Sequence, residues 1–369
     1  MKQRLEAEFS KIFGSGELPR VYFAGGRVNL IGEHIDYSGG RVFPCALALG
    51  TYVAIRKRQD GERIFRSLGV NDGWEKYPKA VLSAMEQAGY GFSGGFEILV
   101  AGNLPLGSGL SSSASLEVAI AYALSDTFDL GISNKEIALL CQRAENEFVG
   151  VNCGIMDQFA AAMGKEGCAI YLDTASLDYE HVPLELSEHE ILIFDTKKPR
   201  KLSESKYNER RSECEYALKA LQSQLDIGAL CELTMDELNK NSHLIDNATC
   251  LKRARHAVSE NQRVKKAVEV LKEGDMEAFG RLMNESHVSL MEDYEVSCKE
   301  LDTLCEILWK QDGVLGARMT GAGFGGCAVA LVERSRAEEI TALTLKEYRS
   351  IIGHEGACCR GVGGAPKRI

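Results

Sequence analysis

A chain of 369 residues exceeds what one hydrophobic core usually holds, so two domains are expected. With 45% hydrophobic and 26% charged residues and only 7 prolines, the composition is that of an ordered globular protein and excludes a disordered one. A formal charge of −10 argues against nucleic acid or an anionic membrane as the main partner.

Leu5, Phe9, Ile12 and Phe13 recur at helical spacing and predict an amphipathic docking helix ending near Gly14, unlike the continuous apolar core of a signal peptide. Val21 to Ala24 reads as a short strand running into Gly25 and Gly26. The apolar segment from Val42 to Ile55 and the run from Phe96 to Val100 continue the sheet. Lys79 to Gln87 reads as a helix. Ser111-Ser112-Ser113 open an apolar helix over Leu116 to Leu124, and Asn134 to Phe148 reads as another. Strands return between Tyr171 and Phe194, the tract from Ser203 to Lys310 is helix-rich, Val314 to Val332 is strand-like around a Gly cluster, and Arg336 to Arg349 is a closing helix. The composition shifts near residues 180–195, which divides the chain into residues 1–185 and 186–369. The twelve cysteines are scattered singly apart from Cys358 and Cys359, with no C-x-x-C pair. That pattern points to reduced thiols in a cytoplasmic protein. No apolar run reaches the roughly 18 residues that span a bilayer.

Three constellations carry chemistry. Gly26-Arg27-Val28-Asn29-Leu30-Ile31-Gly32-Glu33-His34-Ile35-Asp36-Tyr37 sets Arg, Glu, His, Asp and Tyr directly after a strand. So dense a set of donors and acceptors suits a pocket for several sugar hydroxyls, although a charged surface turn accounts for it equally well. Gly107-Ser108-Gly109-Leu110-Ser111-Ser112-Ser113 precedes an apolar helix. Glycines there let backbone N–H groups approach an anion at the helix N-terminus, and hydroxyls can ligate Mg²⁺. The competing explanation is a Ser-rich helix cap. Thr320-Gly321-Ala322-Gly323-Phe324-Gly325-Gly326-Cys327 contains Gly-x-Gly-x-x-Gly, but the strand-like Cys327 to Val332 that follows excludes the dinucleotide fingerprint, which must open a helix. Asp157, among apolar neighbours in Gly154-Ile155-Met156-Asp157-Gln158-Phe159, is either a helix cap or a catalytic group.

In this order, with Ala144 to Phe148, Tyr207 to Arg211 and Ser286 to Asp302, these segments resemble the GHMP kinase superfamily and, within it, the galactokinases. The resemblance implies an α+β, two-domain GHMP kinase fold. Its N-terminal domain has a left-handed β-α-β crossover, its C-terminal domain is ferredoxin-like, and the active site lies in the cleft. It also implies Mg·ATP-dependent phosphorylation of galactose at the anomeric hydroxyl, by a monomer or weak homo-oligomer. Arg27 and Asp157 would flank the reacting hydroxyl. Glu33, His34, Asp36, Gly154 and Tyr207 would hold the other hydroxyls. Gly107, Ser108, Gly109, Leu110, Ser111, Ser112 and Ser113 would cradle the phosphates, with Trp74 and Tyr77 beside adenine and Ser113 and Glu145 on Mg²⁺. Alternatives within that resemblance are a kinase for N-acetylgalactosamine or arabinose, and a galactose-sensing regulator on a kinase scaffold. The chain departs from the family pattern at Gly25, where Pro is usual, at Asp195 to Arg200, and at Gly361 to Ala365, to which no role is assigned.

Overall fold

The computed structural model describes residues 1–69, 73–105, 108–198, 203–361 and 363–369. In chain order, the first half runs α1 (Lys2–Phe13), β1 (Arg20–Asn29), β2 (Arg41–Val42), β3 (Pro44–Arg58), β4 (Arg63–Leu68), α2 (Lys76–Gln87) and β5 (Gly95–Gly102). It continues with α3 (Ser112–Thr127), α4 (Asn134–Ala144), α5 (Met156–Met163), β6 (Cys168–Asp173) and β7 (Tyr179–Pro183). The second half comprises β8 (His189–Asp195), α6 (Ser203–Leu221), α7 (Met235–Asn241), α8 (Ala248–Lys272), α9 (Met276–Glu292), α10 (Lys299–Trp309), β9 (Val314–Thr320), β10 (Cys327–Glu333), α11 (Ala337–Ile352), β11 (Ala357–Arg360) and β12 (Lys367–Arg368).

The first sheet has the order β12-β1-β3-β5-β4, antiparallel from β12 to β5, with β4 parallel to β5 at the edge. A small sheet β2-β6-β7 flanks it. The second large sheet is β11-β8-β10-β9, antiparallel throughout. Numbered within that half its order is 4-1-3-2, with helices between its first and second and between its third and fourth strands, which is the ferredoxin-like arrangement.

Helix α3 buries apolar residues around its whole circumference, interrupted by the buried Glu117, and Ala114 to Ala121 are buried without a gap. A helix of that kind belongs in the middle of a core, not on a surface. It packs against β1 and β3, and Ser115 pins it there: its hydroxyl donates to the Ala24 carbonyl at 3.0 Å, and its Oγ lies 2.9 Å from Thr51 Oγ1. The amphipathic α1 docks as its spacing implies: Leu5 and Phe9 enter a small cluster with Val21, Ala54, Leu99 and Ala101. Each of the two side chains contributes about 1.5–3 kcal/mol by leaving water.

Two segments differ from the sequence reading. The helix expected over Asn134 to Phe148 keeps its α geometry only to Ala144, then becomes a π-helical turn over Glu145–Val149 closed by left-handed Gly150. The Glu145 carbonyl accepts from Gly150 N at 2.9 Å and Val151 N at 3.2 Å, so the widened turn starts at a candidate site residue. The C-terminal segment, given no role, ties the two large sheets together. β11 completes the second sheet, Gly363 N donates to the Ala46 carbonyl at 2.7 Å, and β12 adds to β1. By pairing, the last residues therefore belong to the first half.

Candidate active site

Arg27 lies near the end of β1, where the strand meets the Ser-rich loop. At Gly26 any Cβ would stand 2.4 Å from the Leu110 carbonyl oxygen, so only glycine admits that approach. The contact is sealed by Arg27 N donating to Leu110 O at 3.2 Å. The Arg27 guanidinium, 4% exposed, then grips Asp157 with both prongs, Nε to Oδ1 at 2.8 Å and Nη2 to Oδ2 at 2.9 Å. Its Nη1 donates to the Gly109 carbonyl at 2.8 Å. Burial disfavours this charge, but the carboxylates of Asp157 and Glu33 more than offset it and leave the guanidinium pKa above its ordinary value. Ser111, in the left-handed region at φ 57°, donates its hydroxyl to Asp157 Oδ2 at 2.5 Å. Neither Ser111 at α3 nor the start of α5 shows a side-chain cap. Asp157 and Ser111 are spent on each other and on Arg27, which removes the cap explanation for both.

A cavity of ≈ 230 Å³ opens beside this pair, and Arg27, Glu33, His34, Asp36, Gly154, Asp157 and Tyr207 all line it. Asp36 reaches it because Gly154 has no side chain: a Cβ there would fall 2.0 Å from Asp36 Oδ2. Asp36 accepts from Met156 N at 3.3 Å, and burial together with nearby Asp157 raises its pKa to about 7. Glu33 is 1% exposed and already committed within the protein. Its Oε2 accepts from Asn29 Nδ2, and its Oε1 from Thr320 Oγ1 at 3.0 Å and from Gly321 N. It thus clamps the third glycine loop onto the first. His34, left-handed at φ 60°, donates from Nε2 to the Ala322 carbonyl at 3.1 Å, so its Nδ1 accepts from Tyr37 OH at 2.8 Å. Burial and neighbouring His256 depress its pKa to about 3, so the ring is neutral. Tyr207 packs on His34, with ring centroids 5.4 Å apart.

A second cavity of ≈ 130 Å³ adjoins the first and shares Tyr77 and Ser113 with it. Trp74, Tyr77, Val100, Leu104 and Leu116 give it apolar walls, and Ser112 and Ser113, at the N-terminus of α3, stand at its rim. Flat apolar walls beside a helix N-terminus suit an aromatic base with attached phosphates. Ser108 folds back onto the Pro105 carbonyl at 2.7 Å, whereas Gly107 lies outside the described residues. Glu145 is largely buried, and its partners are neutral: the Ser113 hydroxyl, Gln158 Nε2 at 2.5 Å and Cys153 Sγ at 3.7 Å. Burial, with Asp157 nearby, raises its pKa. A hydroxyl and a buried carboxylate with no cationic partner among the described residues, both lining the first cavity, form a hard oxygen donor set that fits Mg²⁺.

Residues 7–57 match the galactokinase galactose-binding signature, 76–165 the GHMP kinase N-terminal domain and 267–343 the GHMP kinase C-terminal domain. The chain is 49% identical over 368 residues to the galactokinase of Clostridium beijerinckii, covering 95% of this chain and 94% of that one. It is 48% identical to that of Streptococcus mutans, covering 96% and 95%. The chain belongs to the galactokinase family. As a member it is an ATP-dependent sugar kinase. The solved structure of the Lactococcus lactis galactokinase complexed with galactose superposes with a TM-score of 0.97 at 43% identity, covering 100% of this chain and 99% of that one. A mevalonate kinase from L. major, at 22% identity and TM-score 0.64, shares the fold.

Within this galactokinase fold, sequence reasoning quoted but assigned no role to the residues that hold the named ones in place. Asn29, Thr320 and the Gly321 amide fix the Glu33 carboxylate, and Tyr37 and Tyr294, whose hydroxyls meet at 2.7 Å, orient His34. The unabsorbed third glycine motif was the available signal for the first group. Nothing in the sequence near Tyr294 pointed to His34, 260 positions earlier.

Proposed function

We propose that the protein transfers the γ-phosphoryl group of ATP to the anomeric hydroxyl of α-D-galactose, giving galactose 1-phosphate and ADP, in the cytoplasm. What carries this reading is the position of Asp157: its carboxylate lines the sugar-side cavity, which meets an apolar cavity at Tyr77 and Ser113, and Arg27 grips it from behind. A hydroxyl in the first cavity would face a phosphoryl group at the rim of the second, the arrangement an in-line displacement requires.

Asp157 accepts the proton of the anomeric hydroxyl as the oxygen attacks phosphorus. Arg27 fixes Asp157 in place through two hydrogen bonds, and its positive charge favours the developing oxyanion. Asp36, Glu33, His34, Gly154 and Tyr207 form the wall that meets the remaining sugar hydroxyls. Ser113 and Glu145 would hold Mg²⁺, which when bound supplies charge neutralisation at the β- and γ-phosphates. Backbone N–H groups at the start of α3 face the phosphates, and Trp74 and Tyr77 flank adenine.

A coupled ADP-release assay across galactose, glucose, N-acetylgalactosamine and arabinose tests the assignment. Galactose should be preferred by orders of magnitude in kcat/KM, because a buried polar group that loses its hydroxyl partner is penalised heavily. Comparable rates on glucose would overturn galactose as the substrate.

A further inference from the structure

Gln158 follows Asp157 in the first turn of α5, but its side chain serves the opposite side of the site. It is fully buried, and its Nε2 donates to Glu145 Oε2 at 2.5 Å and to Glu117 Oε2 at 3.3 Å. Glu117 is 0% exposed and lies four residues after Ser113 on α3, the spacing that places side chains one above the other on a helix face. Ser113 therefore fronts the cavity while Glu117 stands one turn behind it. Glu117 Oε1 and Gln158 Oε1 are buried with no hydrogen-bond partner among the described residues, so the amide is held through its Nε2 end.

Such a cluster is a poor way to fill a core. Burying two carboxylates and an amide with two oxygens unmatched costs stability that an apolar trio of similar volume would not. Rule-breaking of this kind concentrates where a site needs it. The group that benefits is Glu145, whose carboxylate would otherwise lie at the start of the π-helical turn with the Ser113 hydroxyl and the weak Cys153 thiol as partners.

We propose that Gln158 is a positioning residue for phosphoryl transfer: anchored on Glu117, its amide fixes the Glu145 carboxylate in the orientation that receives the divalent cation. This rests on the metal role proposed above for Ser113 and Glu145. Because Asp157 and Gln158 are adjacent, one turn of α5 sets both the proton acceptor and the metal-side carboxylate. Displacing that turn disturbs both.

The test is calorimetric titration of Gln158→Met, close in shape but unable to donate, with a non-hydrolysable ATP analogue, once with Mg²⁺ and once metal-free with chelator. Loss of a partner behind a metal ligand should weaken binding of the Mg²⁺ form by about 10–100-fold while the metal-free form changes by less than about twofold. Equal weakening of both forms, or of neither, overturns the proposal, since a merely structural defect would not separate them. Should Gln158→Met fail to fold, Glu117→Gln and Glu117→Leu replace it. The first retains an acceptor oxygen for the amide and should keep the Mg²⁺ preference, the second should lose it, and equal behaviour overturns the proposal. Glu145→Ala separates the two levels of failure. If it too retains the Mg²⁺ preference, the metal site is misassigned; if it loses that preference and Gln158→Met keeps it, the positioning role alone is wrong.

Discussion

Removing the Asp157 carboxylate would leave the Arg27 guanidinium buried with the Gly109 carbonyl as its remaining hydrogen-bond partner. Asp157→Ala should therefore lower kcat by roughly 10²–10⁴-fold, the usual worth of a positioned proton acceptor, with ATP binding kept. Steady-state kinetics and nucleotide titration check it, and a variant that keeps more than about a tenth of the rate would refute the role. Asp36 offers a separate test through pH. Its folded pKa of about 7 lies above the ordinary 3.8, so between these values the folded protein holds a proton that the unfolded chain has released. Stability from this group is complete below about pH 4 and lost as pH rises toward 7, by at most about 1.4 kcal/mol per pH unit. Asp36→Asn imitates the protonated form, so in denaturant melts the variant should gain on the wild type as pH rises across that window. Parallel curves would show that the shift is not there. Arg27, Asp36 and Asp157 were legible as candidates from their motifs. The clamping of Glu33 by Thr320 and Gly321 was not, because hydrogen-bond partners 287 and 288 residues apart leave no spacing to read.

At the scale of elements, the loop before α5 matters through what it lacks. Gly154→Ala must displace the Asp36 carboxylate, which a Cβ would meet at 2.0 Å. The galactose KM should rise at least tenfold and the ATP KM should hold, because neither Gly154 nor Asp36 lines the second cavity, proposed to take the nucleotide. Equal effects on both substrates would mean that α5 itself had shifted. Element existence was readable where the pattern was strong: α1 from its periodic Leu5 and Phe9, α3 from its largely apolar run after a Ser-rich start, β8 from Ile191 to Phe194. Strand β4 escaped, since Arg63–Leu68 alternates weakly and pairs only at an edge. The π-helical turn at Glu145 escaped as well. An i→i+5 bond depends on how Gly150 and Val151 are held, and side-chain periodicity does not report it.

For the molecule as a whole, the C-terminal strap is the feature most open to test. Truncation after Gly363 would strip β12 from β1 and remove Ile369, whose N–H donates to the Val21 carbonyl at 2.8 Å and whose side chain packs on the α1 cluster. A loss of about 1–3 kcal/mol follows from the hydrogen bonds and apolar area removed, read as a Tm lower by several degrees in calorimetry. The preference for galactose over glucose should not move, because no described residue of the strap lines the first cavity. A changed preference would place the strap in the catalytic cleft.

The sequence by itself determined what depends on neighbours along the chain. Two glycines and a strand place Arg27 and Asp36 within ten residues of each other, a Ser-rich turn opens an apolar helix, and a motif places Asp157 near a helix start. Those patterns also carried the resemblance to galactokinases, and with it the fold. Only the tertiary structure decided how three glycine-containing loops, from residues 26–37, 108–113 and 320–326, close on one another. Arg27 meets Asp157 across 130 positions, Glu33 meets Gly321 across 288, and Gln158 joins Glu117 to Glu145 inside the core. The reason is physical. A buried charge is tolerable only where particular partners arrive in three dimensions, and those partners come from whichever strands and helices the hydrophobic core packs together.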